Sequence, residues 1–237
     1  MPANNFQVFQ PMIKRTLTQS DYFFIAANIL PVAGVWFWGW DPKEVFIVYC
    51  LETIIIGVFN LLKMGIVTAV RKKDLWYTSG GSTLTPGIVF MLFFLVHYGM
   101  FVAIQTGLFI QVSGLGNQFH IGFFGFFLRW PQYISKDSCI MLVGFAISYA
   151  FKMLWGFIGK GEYRTTSLMK LMFQPYLRIF IQQFTVIGGS IFLSFGVGKV
   201  FLLIFALMKI FFEAYIDYES ILNKGIKELE DKTRNNQ

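Results

Sequence analysis

The chain has 237 residues, of which 55% are hydrophobic and 14% charged, whereas charged residues make up about 25% of a soluble domain. Its mean hydropathy is +0.57, and the stretches 22–40, 75–128 and 179–198 contain no Asp, Glu, Lys or Arg. The net charge of +7 is placed between the apolar stretches, where anionic headgroups select it. This argues for a membrane protein and against nucleic-acid binding, which needs a basic face on a soluble domain.

In chain order, residues 1–21 form a cytoplasmic segment in which Phe6, Phe9, Ile13 and Leu17 recur at helical spacing beside Lys14 and Arg15. That pattern predicts an amphipathic helix lying in the interface. The first apolar run, 22–39, contains Pro31 and leads into Trp36, Trp38 and Trp40 with no small-residue cleavage site after it. It reads as a retained span, not a signal peptide. Asp41-Pro42-Lys43-Glu44 is a short turn, so the second span, 44–69, returns antiparallel and ends before Arg71-Lys72-Lys73. A flexible loop, Ser79-Gly80-Gly81-Ser82, and the pair Pro86-Gly87 lead into a third span, 87–111.

Ser113 to Asn117 breaks that helix. The Phe-rich stretch 118–130 is too short to cross a core that needs about 20 residues; it reads as an interfacial or re-entrant helix anchored by Arg129 and Trp130. A fourth span follows at 138–158, then a polar connection, 159–174. Pro175 opens a fifth span, 176–195, and a turn at Gly196 and Gly198 leads to a sixth, 199–217. Residues 218–237 are a charged tail. The expected fold is all-α: a polytopic membrane protein of about six transmembrane helices over 22–217.

Charge asymmetry orients this bundle. With the N-terminus inside, Lys43, Arg129, Lys136 and Lys199 are outside, and the remaining Lys and Arg beyond the spans are inside. A crossing through 118–130 would export Lys160, Arg164, Lys170 and the tail, against the positive-inside rule. Both termini are therefore expected in the cytoplasm of a multi-pass cell-membrane protein. Its basic inner face would meet anionic headgroups, and a homo-oligomer or a membrane partner is compatible with the sequence.

An ionisable side chain costs about 2.5–3.5 kcal/mol at the centre of a span, so each one needs a reason. The second span carries Glu52, Asn60 and Lys63. Eleven residues are close to three turns, which puts Glu52 and Lys63 on one face about 16 Å apart along the axis. They must find partners on other helices. Lys63 can snorkel to the headgroups, whereas the short Glu52 side chain cannot. His97 and Gln105 lie in the third span; a lone histidine is an interhelical hydrogen-bond partner or a proton relay. Lys63, Lys152, Glu162, Arg178, Gln182, Lys209 and Glu213 form an inner polar cluster, either an ion-pair network locking the helices or a cavity open to the cytoplasm. Glu213 is expected to pair with Lys209, Lys152 or Arg178. Arg178, Gln182, Thr185 and Gly189 share one stripe, and Ser190 and Ser194 favour close helix contact.

No P-loop, GxGxxG, HExxH, CxxC or GxSxG pattern occurs, and no nucleophile stands beside a base. No catalytic residue, metal ligand set or cofactor is expected, and the chain reads as a non-enzyme sooner than as an enzyme; a membrane enzyme acting on lipid is the third alternative, opposed by the lack of a nucleophile–base pair. His97 and His120 differ in depth, which opposes a bis-histidine haem site. Cys50 and Cys139 both fall near a membrane boundary and are either apolar thiols or a pair.

The series from Asn28 to Trp40 with Asp41, then Tyr49-x-x-Glu52, Gly57-x-x-Asn60-x-x-Lys63, His97-Tyr98-Gly99, Gly161-Glu162-Tyr163-Arg164 and Pro175-Tyr176-x-Arg178, runs in order along the chain. Over residues 22–217 it resembles a family of prokaryotic integral membrane proteins catalogued only as a domain of unknown function. The resemblance implies a membrane fold and supplies no activity. Where that family pattern places histidines after the serine of the fourth span and the arginine of the fifth, this chain has Tyr149 and Gln183, which weakens a histidine-based metal or haem role.

Two functions fit these residues. One is a small ion or polar-solute transporter or channel-like bundle, with Glu52, Asn60, His97 and Gln105 along the pathway. The other is a non-catalytic membrane subunit or scaffold whose buried polar residues secure packing or bind a partner.

Overall fold

The computed structural model describes residues 19–78, 81–119, 123–216 and 218–235. The predicted interfacial helix at 6–17, His120, Asp217 and the Ser79-Gly80 pair lie outside the described residues, as do the side chains of Thr185, Ser190 and Glu213.

Helix α1 (Gln19–Phe37) contains Pro31 and leads through Trp38, Gly39 and Trp40 to α2 (Pro42–Arg71), 30 residues long. Local chemistry fixes where α2 begins. The Asp41 carboxylate accepts the Lys43 backbone N–H at 2.9 Å, Pro42 needs no donor at the first helical position, and Glu44 meets the positive end of the helix dipole. At the other end Lys72 takes φ +63° while its N–H bonds Thr68 O at 2.8 Å. This turn sends the chain into β1 (Lys73–Thr78), which pairs antiparallel with β2 (Gly81–Pro86), Lys73 opposite Pro86 and Thr78 opposite Gly81. Gly81 and Ser82 of the expected flexible loop thus open β2. Trp76 anchors the hairpin, its ring 4.8 Å from that of Phe90 and edge-on to Phe93 at 5.4 Å.

Helix α3 (Gly87–Val112) crosses back, and α4 (Leu115–Phe119), α5 (Phe123–Arg129) and a 3₁₀ turn over Trp130–Tyr133 follow. Within the expected short helix at 118–130 the described residues are helical on both sides of 120–122, which lie outside the described residues. Helix α6 (Lys136–Phe151), capped by Ser135, continues in wide π-type turns over Lys152–Ile158, where the Gly159 N–H reaches Leu154 O at 2.8 Å. The connection 159–174 is more ordered than its polarity suggests: it holds a 3₁₀ turn, Glu162–Arg164, and α7 (Leu168–Phe173), whose Leu168, Met169, Leu171 and Met172 are buried. Helix α8 (Tyr176–Ser194) and α9 (Gly198–Ile210) follow, α9 continuing in wide turns over Phe211–Tyr215, and α10 (Tyr218–Asn235) ends the described chain.

Four stretches, Pro42–Arg71, Gly87–Val112, Lys136–Ile158 and Leu168–Ser194, are long and apolar enough to cross a membrane among the described residues. The expected first span is represented by a shorter apolar segment, Asn28–Phe37, and the sixth is divided between α9 and its wide turns. Apart from the hairpin the fold is all-α.

Helix α2 is the hub. Its apolar window is 67% buried, against 17–25% for the other three stretches, because α3, α6, α8, α7 and α9 all pack on it. The outer helices turn Leu92, Val96, Ile147 and Phe184 outward instead, as helices facing lipid do. Two apolar clusters result. One gathers α1, α2, α6, α8 and α9 around Phe46, Tyr49 and Phe205. The other joins α2, α3 and α7 to the hairpin around Met64, Phe90 and Leu171, with Leu229 of α10 on its edge.

Close approach of α2 and α3 depends on Gly57. A Cβ there would lie 2.5 Å from the Tyr98 ring, which is held in place because its hydroxyl donates to Thr53 O at 2.8 Å. Gly99 has open space beside it. The two helical glycines should therefore respond oppositely to alanine. Gly57→Ala is expected to destabilise by about 1–3 kcal/mol through overpacking, and Gly99→Ala to be neutral or to stabilise by up to about 1 kcal/mol through helix propensity. Thermal unfolding in detergent measures both, and a Gly57→Ala protein as stable as the parent contradicts the close contact.

Candidate functional site

The second helix places Glu52 where four helices meet. Its carboxylate is 1% exposed and is matched by Lys209 of α9, also 1% exposed, whose Nζ donates to Oε2 at 2.9 Å. Gln182 of α8 donates its Nε2 to the same oxygen at 3.2 Å and also to the Tyr49 carbonyl. Tyr149 of α6 donates its hydroxyl to Oε1 at 3.1 Å. The Lys209 ammonium sits 4.7 Å from the centre of the Tyr49 ring and 5.8 Å from that of Phe145, so ring faces cover what the carboxylate does not. A buried carboxylate is tolerated only with such pairing and hydrogen bonding.

A polar chain leads outward from this pair. Arg178 Nη1 donates to the Tyr149 hydroxyl at 2.7 Å, and both residues line a cavity of about 330 Å³ together with Asn60, Lys63, Lys152 and Gln174. The rest of the wall is mainly apolar, from Ile56, Phe59, Leu177 and Phe212, with Tyr218 at one side. Arg178 and Lys152 each lie near the face of the Tyr149 ring, at 5.7 and 5.8 Å, and Lys63 stands 5.4 Å from the centre of the Phe157 ring. Asn60 also ties α7 to α2: its Nδ2 donates to Leu171 O at 2.8 Å, one of the carbonyls a helix end leaves without an internal partner.

Outside the spans, Tyr218 donates to Phe173 O at 2.9 Å. Its burial pushes the phenol above its ordinary value, with the Leu177 backbone hydrogen bond acting in the opposite sense. Near the hairpin, Asp74 accepts the Leu168 N–H at 2.7 Å and Arg71 Nη2 at 3.2 Å, and Arg71 also donates to Thr166 O. This fastens α7 under the end of α2. At the far end Glu44 accepts the Ser135 N–H and the Ser138 hydroxyl, each at 2.8 Å, joining α2 to the start of α6.

The predicted residues therefore divide. Lys63, Lys152, Arg178 and Asn60 line one cavity, and Gln182 and Lys209 gather on Glu52 behind it. Glu162 is exposed and does not line the cavity. Lys209 meets Glu52, and the side chain of its expected partner Glu213 lies outside the described residues. His97 and Gln105 lie on the α3 side. His97 Nδ1 is 2.5 Å from the Tyr176 hydroxyl oxygen, between Phe93 and Phe101. Gln105 Nε2 donates to Thr53 Oγ1 at 3.4 Å. Neither lines the cavity. Cys50 is buried and Cys139 exposed, and both are free thiols, so the pair allowed by sequence is absent. Among the described residues no three His, Cys, Asp or Glu side chains come together as metal ligands. Sequence reasoning passed over Tyr149 as a binding group, although it shares a helix face with Lys152 and Phe145 (at i+3 and i−4).

These features define a helical bundle, with stretches apolar enough to span a bilayer, built around a buried carboxylate–ammonium pair that backs onto a cavity lined by Lys63, Lys152 and Arg178. The chain belongs to a family of unknown function, DUF6498, whose family model matches residues 12–232. No curated protein and no solved structure matches it.

The pair is open to a direct test. Removing one partner of a buried ion pair costs about 3–5 kcal/mol, because the other is left charged and alone. Lys209→Met and Glu52→Gln are each expected to lower the unfolding temperature strongly, and the double variant to lose much less than their sum. Additive losses in thermal unfolding would mean that the two groups do not interact.

Proposed function

We propose that this is a multi-pass protein of the cell membrane, with about six spans and both termini in the cytoplasm, that moves a small ion or polar solute through the cavity at the Arg71 end of the bundle. The observation that carries this reading is the cavity itself. Lys63, Lys152 and Arg178 stand on its wall, and Tyr149 connects it to the buried Glu52–Lys209 pair. Ionisable residues at membrane depth mark ion and solute pathways more often than ordinary packing sites.

Six spans are supported by the two peripheral helices. Helix α1 has 19 residues, about 28 Å at 1.5 Å per residue, close to the roughly 30 Å of a bilayer core. Helix α9 has 13 residues and continues for five more in wide turns, and it packs along α1. The cavity end carries Arg71, Lys72, Lys160, Arg164 and Lys170, which supports a cytoplasmic, headgroup-facing position.

A second reading has its own support. Both Glu52 oxygens are hydrogen-bonded, by Lys209, Gln182 and Tyr149, which suits a residue that locks four helices in a non-catalytic subunit.

Two measurements test the proposal, and the second separates the readings. For topology, in a Cys139→Ser background, a cysteine at Gln132 should react with an impermeant thiol reagent in intact cells, while cysteines at Ser79 and Asn235 should be protected. Labelling of Asn235 contradicts the cytoplasmic tail. For transport, liposomes containing the protein are given proton, sodium or phosphate gradients. Flux is expected in the parent and lost in folded Glu52→Gln and Arg178→Gln variants. Flux retained in His97→Ala would remove His97 from the path, and no flux in the parent would favour the packing role.

A further inference from the structure

We propose that His97 is the hydrogen-bonding group of a site for a lipid-soluble quinone, on the membrane-facing seam between α3 and α8. The proposal rests on reading α3 and α8 as spans and is independent of the cavity.

The first argument is a polar group on an apolar surface. Phe93, Val96 and Met100 are exposed at 41%, 72% and 49%, and His97 is half-buried among them. Its Nδ1 lies 2.5 Å from the Tyr176 hydroxyl oxygen, and Tyr176 is its one hydrogen-bond partner among the described residues. In a neutral imidazole one ring nitrogen accepts and the other carries the hydrogen. A phenol is the better donor and an imidazole nitrogen the better acceptor, so Tyr176 donates to Nδ1 and the ring hydrogen sits on Nε2, a tautomer assigned from the chemistry of the pair. An N–H left without an acceptor at hydrocarbon depth is costly. A molecule that brings an acceptor through the lipid removes that cost by binding.

The second argument is depth. His97 stands ten residues after Gly87, where α3 begins. That is about 15 Å along the axis, near the middle of a core roughly 30 Å thick. The ester carbonyls of a phospholipid lie at the edges of that core and do not reach this donor. An acceptor at the midplane belongs to a molecule dissolved in the core itself, and a quinone carries two carbonyls on an uncharged ring.

The third argument is shape. The Phe93 ring lies nearly parallel to the imidazole, with centroids 5.3 Å apart and planes at 24°, and Phe101 meets it edge-on at 5.2 Å. Tyr176 brings a ring from α8 to 5.2 Å on its own side, and Phe180, half exposed, continues the seam 6.4 Å from Phe101. Aromatic rings take offset-stacked or edge-to-face neighbours, so this border accepts a flat ring. Met100 and Ile104, one turn apart and both exposed, lead away from it and suit an apolar tail.

The experiment uses the full chain purified in detergent. Decylubiquinone and, separately, a decyl-substituted naphthoquinone are titrated while the unfolding temperature is followed, with decylbenzene as the ring without carbonyls. At least one quinone is expected to raise the temperature saturably, and decylbenzene to leave it unchanged. His97→Phe keeps a ring and removes the donor, so it should weaken binding by about three- to tenfold, the loss of one neutral hydrogen bond. His97→Gln, which keeps an N–H donor, should bind more tightly than His97→Phe. Ile147→Leu, on the outward side of α6, should leave the titration unchanged. If His97→Phe does not fold, a photoreactive azidoquinone on the parent protein decides: attachment is expected within residues 93–101 or 176–180.

No saturable shift with either quinone, an equal shift with decylbenzene, a titration untouched by His97→Phe, or attachment only elsewhere overturns the proposal. So does ready disulfide dimerisation of Val96→Cys in membranes, in a Cys139→Ser background, because a second copy would then cover this surface. Labelling of the tail would change the number of spans and leave quinone binding standing. A topology that holds without quinone binding sinks this inference alone.

Discussion

The buried contact between Glu52 and Lys209 is the constraint on which the arrangement of this bundle depends. Each ion loses several kcal/mol of hydration on entering a low-dielectric interior, and only their mutual attraction with further hydrogen bonds offsets it. Lys209 alone does not satisfy the carboxylate; Gln182 and Tyr149 complete it. Their four parent helices, α2, α6, α8 and α9, must therefore meet at one depth and in one rotation. Apolar packing sets no such register, since a bilayer solvates Leu and Phe as well as another helix does. The pair specifies the packing more than it stabilises it.

Helix α2 is the natural carrier of that pair because it is the most covered of the four apolar stretches, with 67% of its window buried. Its two ends are held by similar means. Glu44 takes two donors from the start of α6, and Arg71 with Asp74 holds α7 and the Thr166 carbonyl. Polar contacts at both ends and the middle fix the helix lengthwise, and the close approach at Gly57 sets its distance from α3. The cavity opens between the middle and lower contacts, and the wide turns of α6 and α9 each contribute a residue to its wall, Lys152 and Phe212.

Much of this was legible in the sequence and some was not, for identifiable reasons. Charge-free runs marked the long helices, and Arg71-Lys72-Lys73 marked the end of α2. That Glu52 needed a partner on another helix followed from its distance to Lys63 along the axis. Which partner it takes depends on how α9 packs, and that is a long-range property invisible to spacing, which offers Glu213 as a partner for Lys209, Lys152 or Arg178 alike. The hairpin was hidden because its strands are short and polar on one side, although Trp76 and Tyr77 favour strands and the glycine pair that follows favours a tight turn. Helix α7, six residues long, is below the length at which helical periodicity shows.

The cavity and the ion pair are not independent, because Tyr149 belongs to both. It donates to Glu52 and accepts from Arg178, so the orientation of its hydroxyl depends on where the Arg178 guanidinium lies. A ligand that draws the guanidinium into the cavity weakens the bond that orients Tyr149, and so changes how Glu52 is solvated. By linkage the effect is reciprocal: whatever alters Glu52 changes the affinity of the cavity by the same factor. The size of that coupling is bounded by one charge-assisted hydrogen bond, about 1.5–3 kcal/mol, or roughly ten- to a hundredfold in affinity. An arginine bonded to the outermost hydroxyl satisfies a half-buried polar group and joins the wall of the cavity to the buried carboxylate through a single side chain.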